Sequence, residues 1–307
     1  MKKISINLNV LIKPIIFFII FIFLSLLLFK NYPWYHIQPT QELQEFNNDE
    51  KTSSLPKIQF DFPVESNKER KLREYRKESI KQGFLHAWKG YSKYAWGADE
   101  VEPISNTSRR HLNGWGATMV DALDTMWIMD LKEEFNNATN YLSGVDFTYS
   151  YMNINFFETV IRYLGGLLSA HELSGNQILL QKAKDLGRSL YPAFSSSSGL
   201  PYNTWNITRG LQEDGYRPYN SRGILAEVGT SQLEYIKLAQ LTGNDSYFDV
   251  AQRVIDTLDK AKKDIPGLYP VFISLETGEF SGNEISVGNF GDSFYEVSKL
   301  VITRRCA

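Results

Sequence analysis

The sequence predicts an all-α domain, built as concentric rings of paired helices (an αα-toroid) behind one N-terminal membrane-spanning helix. Three observations point there. Segments apolar nearly all round alternate with amphipathic ones at helical spacing. Acidic residues recur on the apolar segments. One unbroken apolar run stands near the start of the chain.

That run is residues 15–29, where Ser25 is the single polar member. With Val10, Leu11 and Ile12 it reaches about 20 residues, enough to span a bilayer if Lys13 snorkels to the interface. Lys2, Lys3 and Lys13 precede it, which keeps the N-terminus cytosolic and places the rest in the lumen. A cleaved signal peptide is the competing reading. It needs small residues at a cleavage site, and Leu28-Phe-Lys-Asn-Tyr32 offers none. The expected layout is a cytosolic tail (1–10), a signal anchor (11–30), a stem (31–67) and a helical domain (68–307). The stem is polar, with prolines at 33, 39, 56 and 63.

A net charge of −2 over 307 residues gives no electrostatic case for nucleic acid. The single cysteine, Cys306, excludes an internal disulfide and a Cys-based zinc site. The four histidines, at 36, 86, 111 and 171, lack ligand spacing. Asn106, Asn137, Asn206 and Asn244 each open an Asn-X-Ser/Thr acceptor pattern, weak support for a lumenal domain.

Within the domain, residues 68–91 read as a charged helix with apolar positions at helical spacing. Residues 117–129, 154–173 and 224–241 read as apolar helices, and 132–142, 177–191 and 246–263 as their amphipathic neighbours. A helix apolar all round is usually buried, and an amphipathic one usually covers it. The alternation therefore implies inner and outer rings. A stacked helical repeat is the runner-up, but no fixed-period signature is present. Gly175 and Gly243 mark helix ends. Residues 268–273 and 279–287 read as a β-hairpin, and a last helix starts near Asp292.

The acids carry the chemistry. Glu158 and Arg162 are i and i+4 on an apolar helix, followed by Gly165-Gly166, which allows close approach of another backbone. A surface ion pair is the common meaning of that spacing. A polar cavity at the helix end is the alternative, because a buried charged pair is costly to desolvate. Asp121 and Asp124, Glu227 and Glu234, and Asp292 and Glu296 repeat the pattern; Glu227 and Glu234 fall on one face of a single expected helix. Asp292 after Gly291 also suits a helix N-cap. Carboxylates converging on a cavity fit glycoside hydrolysis or binding of a hard cation. There is no Gly-rich phosphate loop and no nucleophile elbow.

Four segments carry a family resemblance. Gly114-Trp-Gly-Ala-Thr-Met-Val-Asp-Ala-Leu-Asp-Thr-Met-Trp-Ile-Met-Asp130 closely resembles the first signature of the class I α-1,2-mannosidases, glycoside hydrolase family 47. Phe157-Glu-Thr-Val-Ile-Arg-Tyr-Leu-Gly-Gly-Leu-Leu-Ser-Ala170 is similar to the second. Leu225-Ala-Glu-Val-Gly-Thr-Ser-Gln-Leu-Glu234 and Gly291-Asp-Ser-Phe-Tyr-Glu296 resemble the third and fourth. The resemblance implies an (αα)7 toroid, of which about four helix pairs fall within this chain. It also implies a bound Ca²⁺ and inverting removal of α-1,2-linked mannose from high-mannose N-glycans. By the same resemblance Glu158 matches the general acid and Asp292 a catalytic carboxylate usually discussed as the base. Arg162 matches a sugar-contacting arginine, and Glu227 and Glu296 match acids lining the sugar and calcium pocket. Asp121 and Asp124 are expected to tie helices together.

The family's later helices carry another catalytic glutamate, a disulfide pair and a calcium-binding threonine, none of which this chain contains. No metal ligand is therefore assigned, and the chain is expected to be incomplete and inactive alone. After Glu296 the family pattern stops at Val297-Ser-Lys299, which GTA-AGT-AAA can encode. That codon series contains a splice-donor sequence, so the ending is expected to be translated intron. The expected setting is the ER or Golgi membrane, single-pass type II. The alternatives are a noncatalytic binder of mannose glycans in glycoprotein quality control and a helical scaffold unrelated to sugars.

Overall fold

The computed structural model describes residues 60–210 and 222–305, and it is mostly helical with three small two-stranded sheets. The expected anchor and most of the stem lie outside the described residues. Among the described residues no helix is long and apolar enough to cross a membrane.

Helix α1, Asn67–Tyr94, starts in a capping box: Ser66 Oγ accepts from Glu69 N–H, and the Glu69 carboxylate accepts from Ser66 N–H. Only its last turns are buried, through Trp88 and Tyr91, and the Tyr91 hydroxyl donates to the Ala98 carbonyl at 2.8 Å. A hairpin follows, β1 Glu100–Glu102 with β2 Thr107–Arg109.

Three helical hairpins then follow in order. Helix α2, Ala117–Ile128, turns at Asp130 into α3, Lys132–Ser143. Helix α4, residues 156–174, is one run in three pieces. An α turn, Phe156–Glu158, passes into a π-helical stretch, Thr159–Leu164, and back into α-helix, Gly165–Ser174. Gly175, in left-handed backbone at φ 71°, ends it, and Asn176 caps α5, Gln177–Leu190. After the short helix α6, Leu225–Val228, come α7, Gln232–Thr242, and α8, Asp245–Lys260, with Gly243 and Asn244 repeating the same stop-and-cap pair. Helix α9 is Asp292–Arg305.

Burial follows the expected alternation. In α2 the buried positions Ala117, Met119, Val120, Ala122, Leu123 and Met126 cover more than one face. In α5, Leu179, Ala183, Leu186 and Leu190 form a single stripe, and in α8 Tyr247, Val250, Val254 and Leu258 do the same. The apolar helices pack side by side, α2 on α4, α4 on α7 and α7 on α9, while α3 packs on α5 outside them. Gly166 permits the approach of α2 to α4. A Cβ there would stand 2.9 Å from Val120 Cγ1 and 3.0 Å from the Val120 carbonyl oxygen, so α2 meets bare α4 backbone.

Two expected elements differ. The single helix over 224–241 breaks at Gly229-Thr230-Ser231 into α6 and α7. Thr230 Oγ1 donates back to the Ala226 carbonyl at 2.9 Å, and a Cβ on Gly229 would collide with Phe294 of α9 at 2.7 Å. The hairpin over 268–287 survives as the bridges Pro270–Ile285 and Ile273–Phe280. The regular ladder of β6, Phe272–Ser274, runs instead to β5, Arg222–Ile224. Strands β3, Ile154–Asn155, and β4, Thr204–Trp205, pair likewise across a long connection.

Candidate active site

Strand β3 delivers the chain to α4, and Asn155 caps the helix by accepting from the Glu158 N–H at 2.9 Å. Glu158 therefore stands in the first turn, where the helix dipole favours negative charge. Its Oε2 accepts from Arg162 Nε at 2.5 Å, the i to i+4 pair expected from the sequence. Arg162 Nη1 donates to Asp121 Oδ2 of α2 at 3.1 Å.

The pair is not buried: the Arg162 side chain is 41% exposed and that of Glu158 is 32%. It opens into a recess of about 310 Å³, lined also by Asp99, Glu100, His111 and Asp121. Burial pushes the Asp121 carboxyl above its ordinary value, and the charges of Asp124 and Glu158 add to this against the pull of Arg162. Burial works against the Arg162 charge, but Glu158 and Asp121 outweigh it and hold the guanidinium above its ordinary value.

Glu227, in α6, belongs to the same neighbourhood. Its carboxyl is raised first by burial and then by the charge of Glu158. Because the helix breaks at 229–231, Glu227 and Glu234 do not share a face. Glu234 instead lies on α7, with Oε2 buried and without a hydrogen-bond partner, beside Gly165 of α4. Burial raises it to about 7. Asp292 opens α9, half-buried, and its Oδ1 accepts from the Ser293 N–H at 3.0 Å. Glu296 follows one turn later and is exposed. Helix α9 packs on α6 and α7, which sets Asp292 and Glu296 on the helix next to Glu227. Neither shares a hydrogen bond or ion pair with Glu158, Arg162 or Glu227 among the described residues.

Asp121 and Asp124 tie α2 to α4, the first through Arg162 and the second by accepting from Ser169 Oγ at 2.8 Å. Sequence reasoning missed Asp99. It is 1% exposed, and its carboxylate accepts from the N–H groups of Leu112, Gly114, Gly116 and Ala117. The Tyr163 hydroxyl also reaches it, at 2.8 Å. Asp99 thus fastens the loop entering α2 to the residue beside Arg162. Nothing local in Trp96-Gly-Ala-Asp99 signals this, because every donor but one comes from a loop more than ten residues away.

Among the described residues no three His, Cys, Asp or Glu side chains are placed to hold a metal ion. Ca²⁺ takes six to eight oxygen ligands, so the described carboxylates do not by themselves fit it.

The fold is that of a mostly helical domain whose inner helices bring the carboxylates Asp121 and Glu158 to one recess. Residues 83–302 match glycosyl hydrolase family 47, and the chain belongs to that family. It is 41% identical over 222 residues to a mannosyl-oligosaccharide 1,2-alpha-mannosidase of Arabidopsis thaliana, covering 72% of this chain and 39% of the relative. It is 40% identical over 225 residues to the human endoplasmic reticulum mannosyl-oligosaccharide 1,2-alpha-mannosidase, covering 72% and 32%. Among solved structures it is similar to an alpha-1,2-mannosidase from Trichoderma reesei, with a TM-score of 0.68 and 33% identity over 73% of this chain and 49% of that one. The chain thus spans about a third to a half of the length of these proteins.

Proposed function

We propose that this chain carries acid-side machinery of an inverting α-1,2-mannosidase acting on high-mannose N-glycans. The observation that carries the reading is the meeting of Glu158 with Arg162 at 2.5 Å beside Asp121, with Glu227 near enough to feel the Glu158 charge. Glu158 is the general acid and Asp292 the carboxylate base. Arg162, Glu227 and Glu296 contact the sugar. The arc of inner helices belongs to the ring of seven helix pairs that the family resemblance implies.

In this reading a glycan hydroxyl accepts from Arg162 Nε in place of Glu158, and Glu158 acts as the proton donor. Glu158 gives that proton to the glycosidic oxygen as the C1–O bond breaks. Water attacks C1 from the opposite face and passes a proton to Asp292, leaving mannose with inverted configuration. Inversion needs the two carboxyls roughly 6.5–9.5 Å apart, with water between them. Glu158 and Asp292 stand on separate helices, α4 and α9, so water between them is the geometry this reading requires. Ca²⁺ dependence enters through the family resemblance alone, and no step is routed through the ion.

The setting proposed is the ER or Golgi membrane, type II. It rests on the apolar run at 15–29, the lysines before it and the names of relatives such as the human protein.

The test is mannose release from a high-mannose glycan by the full chain, with Ca²⁺ and with chelator, read by NMR of the first-formed anomer. Release of β-mannose supports the reading, and α-mannose overturns the inverting assignment. Binding without release favours the noncatalytic alternative. Any release overturns the expectation that the chain is inactive alone, and a folded chain that neither binds nor releases rejects the sugar-contact roles of Arg162, Glu227 and Glu296.

A further inference from the structure

The sequence holds four Asn-X-Ser/Thr acceptor patterns of equal standing, and the fold gives them unequal surroundings. Asn206 is 6% exposed. Its Nδ2 donates to Asn153 Oδ1 at 3.0 Å, and its Oδ1 accepts from the Arg209 N–H at 2.9 Å. The hydroxyl two residues on is also in use. Thr208 Oγ1 donates to the Ser150 carbonyl at 2.7 Å and accepts from the Ser150 N–H at 2.9 Å. Both reactive groups of this pattern are thus consumed in a clamp that joins residues 150–153 to 206–209, just ahead of the strand that delivers Glu158.

Asn106 is the opposite case. It lies in the turn between β1 and β2, at φ 57°, a left-handed conformation that asparagine tolerates better than most residues. Asn106, Thr107 and Ser108 are all exposed. The Asn106 backbone N–H closes the turn on the Glu102 carbonyl at 2.9 Å, so the turn does not rely on the side-chain amide. Asn137, on the solvent side of α3, is exposed although its pattern ends in the buried Thr139, and Asn244, which caps α8 through Oδ1, is exposed as well.

We infer that the fold sorts these patterns: Asn106 carries an N-linked glycan in the folded protein, and Asn206 does not. The inference rests on the lumenal placement proposed above. The donor is a lipid-pyrophosphate-linked oligosaccharide. A bond forms from Asn106 Nδ2 to the sugar C1, the C1–O bond to pyrophosphate breaks, and the amide loses one proton. Asn206 is 6% exposed and bonded to Asn153 and to the Arg209 N–H, so a sugar on Nδ2 has no room while the clamp is closed.

The test is glycopeptide mapping of the full chain made in eukaryotic secretory cells, on the protease-resistant folded fraction, with protease protection of sealed microsomes in parallel. Expected are a glycan at Asn106, a bare Asn206, and loss of one glycan from Asn106→Gln but none from Asn206→Gln. Occupancy at Asn137 or Asn244 independently reports that the chain met the transferase. A lumenal, protected chain with Asn106 bare, or folded chain with Asn206 occupied, overturns this inference and leaves the mannosidase reading standing. A chain digested from outside the microsomes and bare at all four sites overturns the lumenal placement, and this inference with it.

Discussion

The Tyr163 hydroxyl lies 2.8 Å from Asp99 Oδ1, and through it the π-helical stretch of α4 is joined to the loop that enters α2. Four backbone N–H groups converge on the same carboxylate. Hydrogen bonds to a buried charged group contribute about 1.5–3 kcal/mol each, and leaving donors unpaired costs more than not having them. Tyr163→Phe is expected to destabilise the fold by about 2 kcal/mol, and Asp99→Asn by more, because an amide presents two N–H donors to a ring of donors. Urea unfolding measures both. Equal, sub-kilocalorie effects would show that the cluster is not a hub.

Gly166 tests the packing of α2 on α4. Gly166→Ala places a Cβ 2.9 Å from Val120 Cγ1 and 3.0 Å from the Val120 carbonyl oxygen, which as backbone cannot swing away. Overpacking of this kind costs typically 1–3 kcal/mol, so a loss of about 2 kcal/mol is expected. Gly83→Ala is the control. Gly83 is helical, with nothing within 4 Å of its would-be Cβ, and there the change should stabilise by about 0.5–1 kcal/mol.

Glu234 makes stability depend on pH in a fixed direction. Its carboxyl ionises near 7 when folded, against an ordinary value of 4.5. The folded chain therefore holds a proton that the unfolded chain releases. Stability from this group is fully present below about 4.5 and is lost as pH rises through about 7, amounting to at most roughly 3 kcal/mol. Glu227 and Asp121, also raised by burial, act with the same sign. Glu234→Gln should flatten the profile and leave the variant more stable than the parent at pH 8, with little difference near pH 4.5. A profile unchanged by the substitution would assign the pH dependence to other groups.

Glu158→Gln separates chemistry from folding. The side chain is about one-third exposed, so its ion pair contributes little to stability, on the order of 1 kcal/mol or less. Loss of a general acid typically costs 10²–10⁴ in rate. If the proposed mannose release is observed, Glu158→Gln should lower kcat by about that factor with the melting profile nearly unchanged. A parallel fall in both would place Glu158 among structural residues instead.

The sequence by itself determined the helices and their stops. Apolar periodicity placed α2, α3, α5 and α8 to within a few residues. Gly175 before Asn176 and Gly243 before Asn244 each read as an end and a beginning, because left-handed backbone and side-chain caps are local requirements. The Glu158–Arg162 pair was legible for the same reason, since four residues of helix bring two side chains together wherever the helix lies. Tertiary structure decided the rest. The helix breaks at Gly229, where Phe294 of α9 fills the space a side chain would need, and Glu227 lies toward Glu158 while Glu234 lies toward Gly165. Tertiary structure also paired β6 with β5, about fifty residues earlier, rather than within its own hairpin. It gathered five donors around Asp99 from loops and a helix that no local pattern links. Helical periodicity and capping are encoded within a turn or two of chain, whereas carboxylate partners and sheet register depend on which distant segments pack together.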